Sequence, residues 1–348
     1  MLHLRTDLLS ATSQQELTAR LRDGELVRLA SGVYADQLDL SGWPEQVYAV
    51  RVRAHAQRCV HVVSHVSAAV LHGLPVPGAD LSEVHFSRPG RSGNDLIGDR
   101  RVHAGCPGTE SLTTVDGVLV TSVARTVVDV ARTQPHLAAV SAADAALHRG
   151  LADPAELVAA FDAEHRWVGS PWARKALRAA DGRAESPGET WARLALDGLA
   201  PVQELQFSVF DERGRFVARP DGGFPELGLI WEYDGQGKYE ELRPAGLSRD
   251  DVMMKQLERQ RKLTRLGWAV LRGGGDDLGH REAFRERAAS LVTAAMTKGW
   301  VPPRGSYELK SRISVDVREP IKWADAEREE RYERWRARMA RTVDRTGV

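Results

Sequence analysis

The sequence predicts an α/β protein built from several domains. Its 348 residues are enough for two or three domains of roughly 100–200 residues each. Segments with apolar residues at helical spacing alternate with short strand-like runs, which indicates mixed α and β structure. The polar, glycine-containing segment DGRAES, residues 181–186, marks the main boundary. We divide the chain into residues 1–45, 46–180, 181–300 and 301–348.

Composition limits the classes of function. The chain has 48 basic and 48 acidic residues, so its formal charge is zero and any binding of nucleic acid must come from local patches. Two isolated cysteines, Cys59 and Cys106, form neither a disulfide framework nor a zinc site. Asp7 interrupts the N-terminus before an apolar run develops, which argues against a signal peptide. No membrane contact is expected, and a cytoplasmic location follows by elimination.

Residues 1–45 have the outline of a winged helix-turn-helix. Ser13 can cap a helix that has Glu16 at its third position and runs to about Arg22. An alternating segment with a turn at Gly32 follows, as expected for a β-hairpin wing. A small packing module with solvated arginines fits the same pattern equally well. Three arginines could pair with DNA phosphates if the module is a winged helix: Arg20, Arg22 and Arg28.

Three segments of the chain resemble a known family. The segment GELVRLASGVYAD, residues 24–36, resembles the end of the DNA-binding domain of AbiEi-type antitoxins from type IV toxin–antitoxin systems. VVSHVSAAVLHGLPVP, residues 62–77, and VDGVLVTSVARTVVDVAR, residues 115–132, resemble the region that follows that domain. The resemblance implies a winged helix that binds an operator, an α+β middle domain over residues 46–180, and a toxin protein as a partner.

Histidines are scattered through the predicted middle domain. None of them has the tight spacing to another ligand that a metal site requires. We therefore expect satisfied core or surface histidines rather than metal ligands. The four residues concerned are His65, His72, His85 and His103.

A third domain is predicted to begin after the polar residues 181–186. Ser186 can cap a helix that has Pro187 at its first position and Glu189 at its third. A hairpin over residues 206–218 should follow, and then a short loop containing Gly222 and Gly223. The segment LGLIWEYDG, residues 227–235, predicts a largely apolar strand that is covered on both faces.

The apolar strand carries two carboxylates. Glu232 and Asp234 lie on the same face because side chains alternate along a strand. Like charges this close resist ionisation unless a cation neutralises them, and Mg²⁺ is a suitable cation. Asp221, arriving from the neighbouring strand, could supply a third carboxylate. The sequence therefore predicts a magnesium site made of Asp221, Glu232 and Asp234.

This helix, hairpin, strand and helix arrangement resembles the PD-(D/E)XK nuclease superfamily. The segment RPDGGFPELGLIWEYDGQGKY, residues 219–239, resembles the Vsr-like branch, and the likeness continues through residues 255–278. It implies a restriction-endonuclease-like α/β core with a mixed sheet. By position, Asp221 and Glu232 would hold the metal and Glu189 would complete the site.

The segment departs from the family pattern at the lysine. Asp234 stands where the older motif has that lysine, and Lys238 could supply the cation instead. The histidine that is common near position 239 in the Vsr-like pattern is absent. A basic helix follows, and it carries Arg259 and Arg261 as candidate DNA contacts.

Each of these residues also has a structural interpretation. Glu189 can be the capping partner of Ser186, Asp221 can cap the glycine turn, and Lys238 can neutralise the carboxylate pair. Arg259 and Arg261 can be a solvated helix face, as can the charged tail over residues 301–348.

Three functions follow from these alternatives. The first is a Mg²⁺-dependent endonuclease directed to DNA by the N-terminal module. The second is a non-catalytic, antitoxin-like transcriptional regulator, and the third is a structural protein.

Overall fold

The computed structural model describes residues 2–90, 93–105, 108–164, 166–200, 203–234, 249–296 and 301–317. These residues form two compact units. Unit 1 comprises residues 2–180 with 315–317, and unit 2 comprises residues 181–314. Both contain helices and β-sheets, and the larger sheets are mixed, which confirms the predicted α/β class. In the described part of the chain, no helix combines the length and apolarity needed to cross a bilayer.

Unit 1 begins with a small module of two helices and three strands. Ser13 accepts a hydrogen bond from the N–H of Glu16 at 3.1 Å, so the predicted cap starts the second helix. The antiparallel sheet has the order β1-β3-β2. A core of Leu8, Leu17 and Tyr34 lies between the helices and the sheet. The elements are β1 (Leu2–Leu4), α1 (Arg5–Ala11), α2 (Gln14–Arg22), β2 (Leu26–Ala30) and β3 (Val33–Asp36).

The rest of unit 1 is a six-stranded mixed sheet with helices. The strand order is β6-β7-β5-β4-β9-β8, and the β5–β7 and β4–β9 pairs are parallel. The strands are β4 (Val62–Val63), β5 (Val84–Arg88), β6 (Asp95–Ile97), β7 (Arg100–Ala104), β8 (Leu112–Val115) and β9 (Val118–Thr121). The helices are α3 (Pro44–Ala56), α4 (His65–Leu71), α5 (Val123–Thr133), α6 (His136–His148), α7 (Pro154–Glu164) and α8 (Ser170–Ala179).

The described residues of unit 2 form three α-helices and two sheets. One sheet has the order β10-β13-β14-β15, in which β14 and β15 are parallel, and the other has the order β12-β11-β16. The helices are α9 (Pro187–Ala195), α10 (Arg249–Leu266) and α11 (Arg281–Met296). The strands are β10 (Glu204–Leu205), β11 (Ser208–Phe210), β12 (Phe216–Ala218), β13 (Gly222–Phe224), β14 (Leu229–Asp234), β15 (Ala269–Gly274) and β16 (Ser306–Glu308).

The predicted loop at Gly222 and Gly223 is wrong, because both residues belong to β13. They pair with Trp231 and Ile230 of β14. A Cβ atom at Gly222 would overlap the Trp231 indole, and one at Gly223 would overlap the Leu229 carbonyl oxygen. Glycine is needed here because the strand backbone approaches its neighbours closely, and this use of glycine resembles a turn signal in sequence.

Strand β14 is buried on both faces, as its composition predicts. On one face Ile230 packs in a cluster with Leu263 and Leu266 of α10. On the other, the Tyr233 ring lies 5.9 Å from the Trp191 ring of α9, measured between centroids. The two helices therefore cover opposite faces of the sheet, which explains the nearly continuous apolar run.

The contact between α9 and β14 gives a test of this packing. A methyl group at Gly188 would overlap the Tyr233 ring, which is buried, whereas one at Gly279 would meet nothing within 4 Å. We expect Gly188→Ala to lower the free energy of unfolding by about 1–3 kcal/mol, the usual cost of overpacking. Denaturant titration should find Gly279→Ala close to wild type. Equal stabilities of the two variants would contradict this packing.

Candidate functional site

The predicted carboxylates lie at one end of the β13–β14 pair. Gly222 pairs with Trp231, so Asp221 directly precedes the paired stretch and Glu232 directly follows it. Asp221 also accepts a hydrogen bond from the backbone N–H of Tyr233 through Oδ2, at 2.8 Å. The register of the two strands therefore brings Asp221 to the part of β14 that carries Glu232 and Asp234.

Two arginines neutralise the carboxylates of Glu232 and Asp234 on β14. Glu232 is only 5% exposed. Its Oε1 lies 2.8 Å from a terminal nitrogen of Arg259, and its Oε2 lies 3.2 Å from one of Arg272. Arg272 also reaches Oδ2 of Asp234 at 3.0 Å. Guanidinium groups, from α10 on one side and β15 on the other, thus supply the positive charge that these two carboxylates require.

Glu189 has a structural role in the described arrangement. It is buried, and Oε1 accepts a hydrogen bond from the Ser186 hydroxyl at 2.9 Å. Oε2 accepts from the backbone N–H of Glu185 at 2.9 Å and from the side-chain amide of Gln206 at 3.0 Å. These contacts start α9 and join it to Gln206.

Gln206 is a site residue that the sequence did not indicate. It has a φ of +53°, although it is not glycine. Its backbone N–H donates to the carbonyl oxygen of Asp221 at 3.2 Å, while its side chain donates to Glu189. Backbone strain of this kind costs about 1–3 kcal/mol and persists where the surroundings impose it. Gln206 thus connects the Glu189 and Asp221 ends of the site, and the predicted strand over 206–210 begins only at Ser208.

These contacts decide whether magnesium fits the site. Both Glu232 oxygens contact arginines, and both Glu189 oxygens accept hydrogen bonds. Among the described residues, no three His, Cys, Asp or Glu side chains are arranged to hold a metal ion. Lys238 lies outside the described residues. As described, the carboxylates do not fit Mg²⁺, because a cation would first have to displace an arginine from Glu232.

Four of the five arginines predicted to bind DNA have partners within the protein, and the fifth, Arg261, is exposed. Arg20 pairs with Glu25 and Asp36, and Arg22 pairs with Asp23. Arg28 donates to the carbonyl oxygen of Ala30 at 3.4 Å. On α10, Arg259 is used by Glu232, whereas Arg261 is exposed.

Unit 1 contains a second polar cluster, which the spacing of its histidines did not indicate. The imidazole rings of His65 and His103 stack with centroids 3.7 Å apart, and the His85 ring lies 5.2 Å from that of His103. His85 Nδ1 lies 2.9 Å from His103 Nε2. These three are buried side chains with partners, as expected of core histidines, and the β5–β7 pairing and the start of α4 bring them together.

The histidine cluster borders a buried carboxylate. Asp129 is fully buried and lies 3.0 Å from Arg125, 3.1 Å from Arg132 and 3.7 Å from His65. The Trp167 ring covers both guanidinium groups, at 5.0 Å from Arg125 and 4.9 Å from Arg132. Two arginines thus offset one buried charge, and a cation–π contact covers them.

Burial keeps these histidines neutral. Desolvation lowers the pKa of His85 to about 4 and lowers the pKa of His65 and of His103 as well. Neighbouring positive groups act on His65 in the same direction. The nearby Arg125 and Arg132 make a further positive charge in this cluster unfavourable. The cluster is therefore stable as a stack of neutral rings.

The depressed pKa values predict acid sensitivity. In the unfolded chain these histidines bind protons below about pH 6.5, whereas in the folded protein His85 binds a proton only near pH 4. The contribution of neutral His85 to the free energy of unfolding is therefore complete above pH 6.5 and is lost as the pH falls toward 4. The loss from His85 alone should reach about 3 kcal/mol. Denaturant titrations from pH 7.5 to 4.5 should find that the free energy of unfolding depends less steeply on pH in His85→Gln than in the wild type. Equal pH dependence in the two proteins would contradict the neutral cluster.

Comparison with known proteins identifies relatives. No family model matches the sequence. Two proteins from two strains of Mycobacterium tuberculosis, both described as uncharacterized, are each 32% identical to the chain over 264 residues. The matched region covers 74% of this chain and 89% of each relative. The chain therefore belongs to the same protein family as these two mycobacterial proteins.

Proposed function

We propose that the protein is a DNA-binding regulator whose second unit is built on the PD-(D/E)XK nuclease plan but does not hydrolyse DNA. The observation that carries this proposal is the pair of arginines on Glu232. The antitoxin-type segments of unit 1 also support a regulatory role, and they suggest a promoter as the DNA target and a toxin protein as a partner.

The order of elements in unit 2 supports the nuclease plan. Helix α9 with Glu189 precedes the antiparallel β13–β14 pair, and α10 lies between β14 and the parallel strand β15 in the order of the chain. Asp221 follows Pro220 and comes before β13, while Glu232 lies in the second half of β14. The family resemblance assigns its two metal-binding carboxylates to these same positions.

The ion pairs support a role without hydrolysis. Metal-assisted hydrolysis requires carboxylate oxygens that can bind the ion. Glu232 is buried, and removing one partner from a buried ion pair typically costs about 3–5 kcal/mol. Arg272 holds Glu232 and Asp234 together, so two carboxylates depend on one guanidinium. A metal ion would have to offset these losses before it could act.

Helix α10 offers the better DNA surface. Its last two turns expose three cations that have no ion pair within the described residues: Arg261, Lys262 and Arg265. The N-terminal module has four arginines against seven acidic residues over positions 2–45, and Arg20 and Arg22 are ion-paired. Free cations attract phosphates more strongly than paired ones, so we assign the main phosphate contacts to α10.

Salt dependence of DNA binding tests that assignment. Each phosphate contact adds about 0.9 to the slope of log affinity against log salt concentration. We expect the triple variant Arg261→Ala, Lys262→Ala, Arg265→Ala to bind a duplex from upstream of the gene more weakly, with the slope reduced by about 2–3. The matched triple variant Arg20→Ala, Arg22→Ala, Arg28→Ala should retain the wild-type slope. The reverse result would assign the DNA to the N-terminal module.

The second candidate function is a Mg²⁺-dependent endonuclease. This function is favoured because Asp221, Glu232 and the contact between Glu189 and Gln206 all lie near one end of the sheet. Arg259 is 39% exposed along its side chain, so it is the partner of Glu232 that moves away most easily. This function requires Arg259 to leave Glu232 when DNA and metal arrive.

Cleavage assays separate the two functions. The non-hydrolytic proposal predicts that supercoiled plasmid with Mg²⁺ or Mn²⁺ remains intact with the wild type and with Arg259→Ala, in which Arg272 still holds Glu232 and Asp234. A control variant that combines Asp221→Ala and Glu232→Ala should also leave the plasmid intact. Metal-dependent nicking by the wild type or by Arg259→Ala, absent from the control variant, would overturn the non-hydrolytic proposal and establish the endonuclease.

A further inference from the structure

Unit 2 contains a cavity at the opposite end of the β14–β15 pair from the carboxylates. Its volume is about 490 Å³, and its lining includes Trp268, which immediately precedes β15, and Tyr307 of β16. Prolines form part of its wall, and Pro303 occupies the space that a side chain at Gly228 would fill. The volume lies in the range of small-molecule sites.

Aromatic rings form one side of this cavity. The Trp268 and Tyr307 rings meet edge to face with centroids 6.3 Å apart, and Phe207 lies behind both, at 5.8 and 6.2 Å. Tyr307 is 39% exposed, whereas Trp268 is 3% exposed. Tyr307 therefore offers a ring surface to an incoming group, and the buried rings behind it hold that surface in position.

The cavity lining also contains an unused donor. The indole Nε1 of Trp268 is buried and has no hydrogen-bond partner among the described residues. Buried polar groups without partners are rare in folded proteins, and each one calls for an explanation. This atom is covered, so an acceptor reaches it only when the neighbouring lining shifts. A carbonyl oxygen on a bound ring would supply the missing acceptor.

The cavity lining contains one carboxylate, Glu226, and one guanidinium group, Arg304, and further cations lie on the neighbouring end of α10. Arg304 is part of the lining, and its side chain is 61% exposed while it pairs with Glu212 at 3.3 Å. It also donates to the carbonyl oxygens of Arg265 and Leu266, which fixes the cavity next to the end of α10. The exposed cations Arg261, Lys262 and Arg265 lie along the last two turns of that helix.

We propose that this cavity receives an unpaired nucleobase of single-stranded DNA, with the adjoining phosphates over the cations of α10. The proposal rests on the DNA-binding function proposed above and adds a preference for unpaired bases. A positively charged track beside an aromatic surface is the usual plan of single-strand binding sites, because every base has a face that can stack. Phosphate is the group that complements this charge, which favours DNA over an apolar peptide.

Fluorescence anisotropy with a labelled oligothymidylate and a labelled duplex tests this site. We expect Tyr307→Ala to weaken single-strand binding by about five- to a hundredfold, the range for loss of one base–aromatic stack, and to leave duplex binding within about twofold. Tyr307→Phe keeps the ring and should bind like wild type. Leu309→Ala, an exposed apolar residue that follows β16 at 54% exposure, is the matched control and should also bind like wild type.

The outcomes separate the two proposals. Duplex binding with unchanged single-strand affinity in Tyr307→Ala would overturn the base site alone. Failure of the wild type to bind either DNA would overturn the DNA-binding function. Saturable binding of a proline-rich peptide that Tyr307→Ala abolishes, with the oligonucleotide unaffected, would also overturn the base site. Circular dichroism of each variant would distinguish lost contacts from lost folding.

Discussion

The bridge from Arg272 to Glu232 and Asp234 is the interaction on which the account of unit 2 depends. Glu232 and Arg272 are opposite one another in the parallel pairing of β14 and β15, so the strand register itself creates the bridge. A slip of one residue would turn Glu232 toward the other face and leave a buried carboxylate without a partner. Arg259 adds a second cation from α10. The same charges therefore fix strand register and helix position.

Both units have buried carboxylates that guanidinium groups neutralise. In unit 1 Asp129 lies between Arg125 and Arg132, beside neutral histidines. In unit 2 the buried Glu232 is held by Arg259 and Arg272. Such networks are weak evidence for net stability, because desolvation offsets much of the attraction. The ion pairs instead affect metal binding, because a carboxylate whose two oxygens contact arginines has little capacity left for a metal ion.

The sequence predicted local features well and long-range partners poorly. The Ser13 cap, the Ser186–Glu189 cap and the apolar strand β14 all follow from neighbouring residues, and all are present. Arg272 could not be matched to Glu232, because forty residues separate them and only the parallel register joins them. Gln206 and the histidine stack were missed for the same reason. The glycines of β13 were misinterpreted because close backbone approach and a turn both select glycine.

Metal binding by the intact protein is the most direct test of the central claim. Loss of the free Mn²⁺ electron paramagnetic resonance signal counts bound ions without requiring any activity. If the arginines occupy Glu232, wild type should leave millimolar Mn²⁺ free, and Glu232→Ala should give the same titration. Saturable binding of one ion by wild type, lost in Glu232→Ala, would contradict the occupation of Glu232 by arginines and would support a metal-dependent nuclease site.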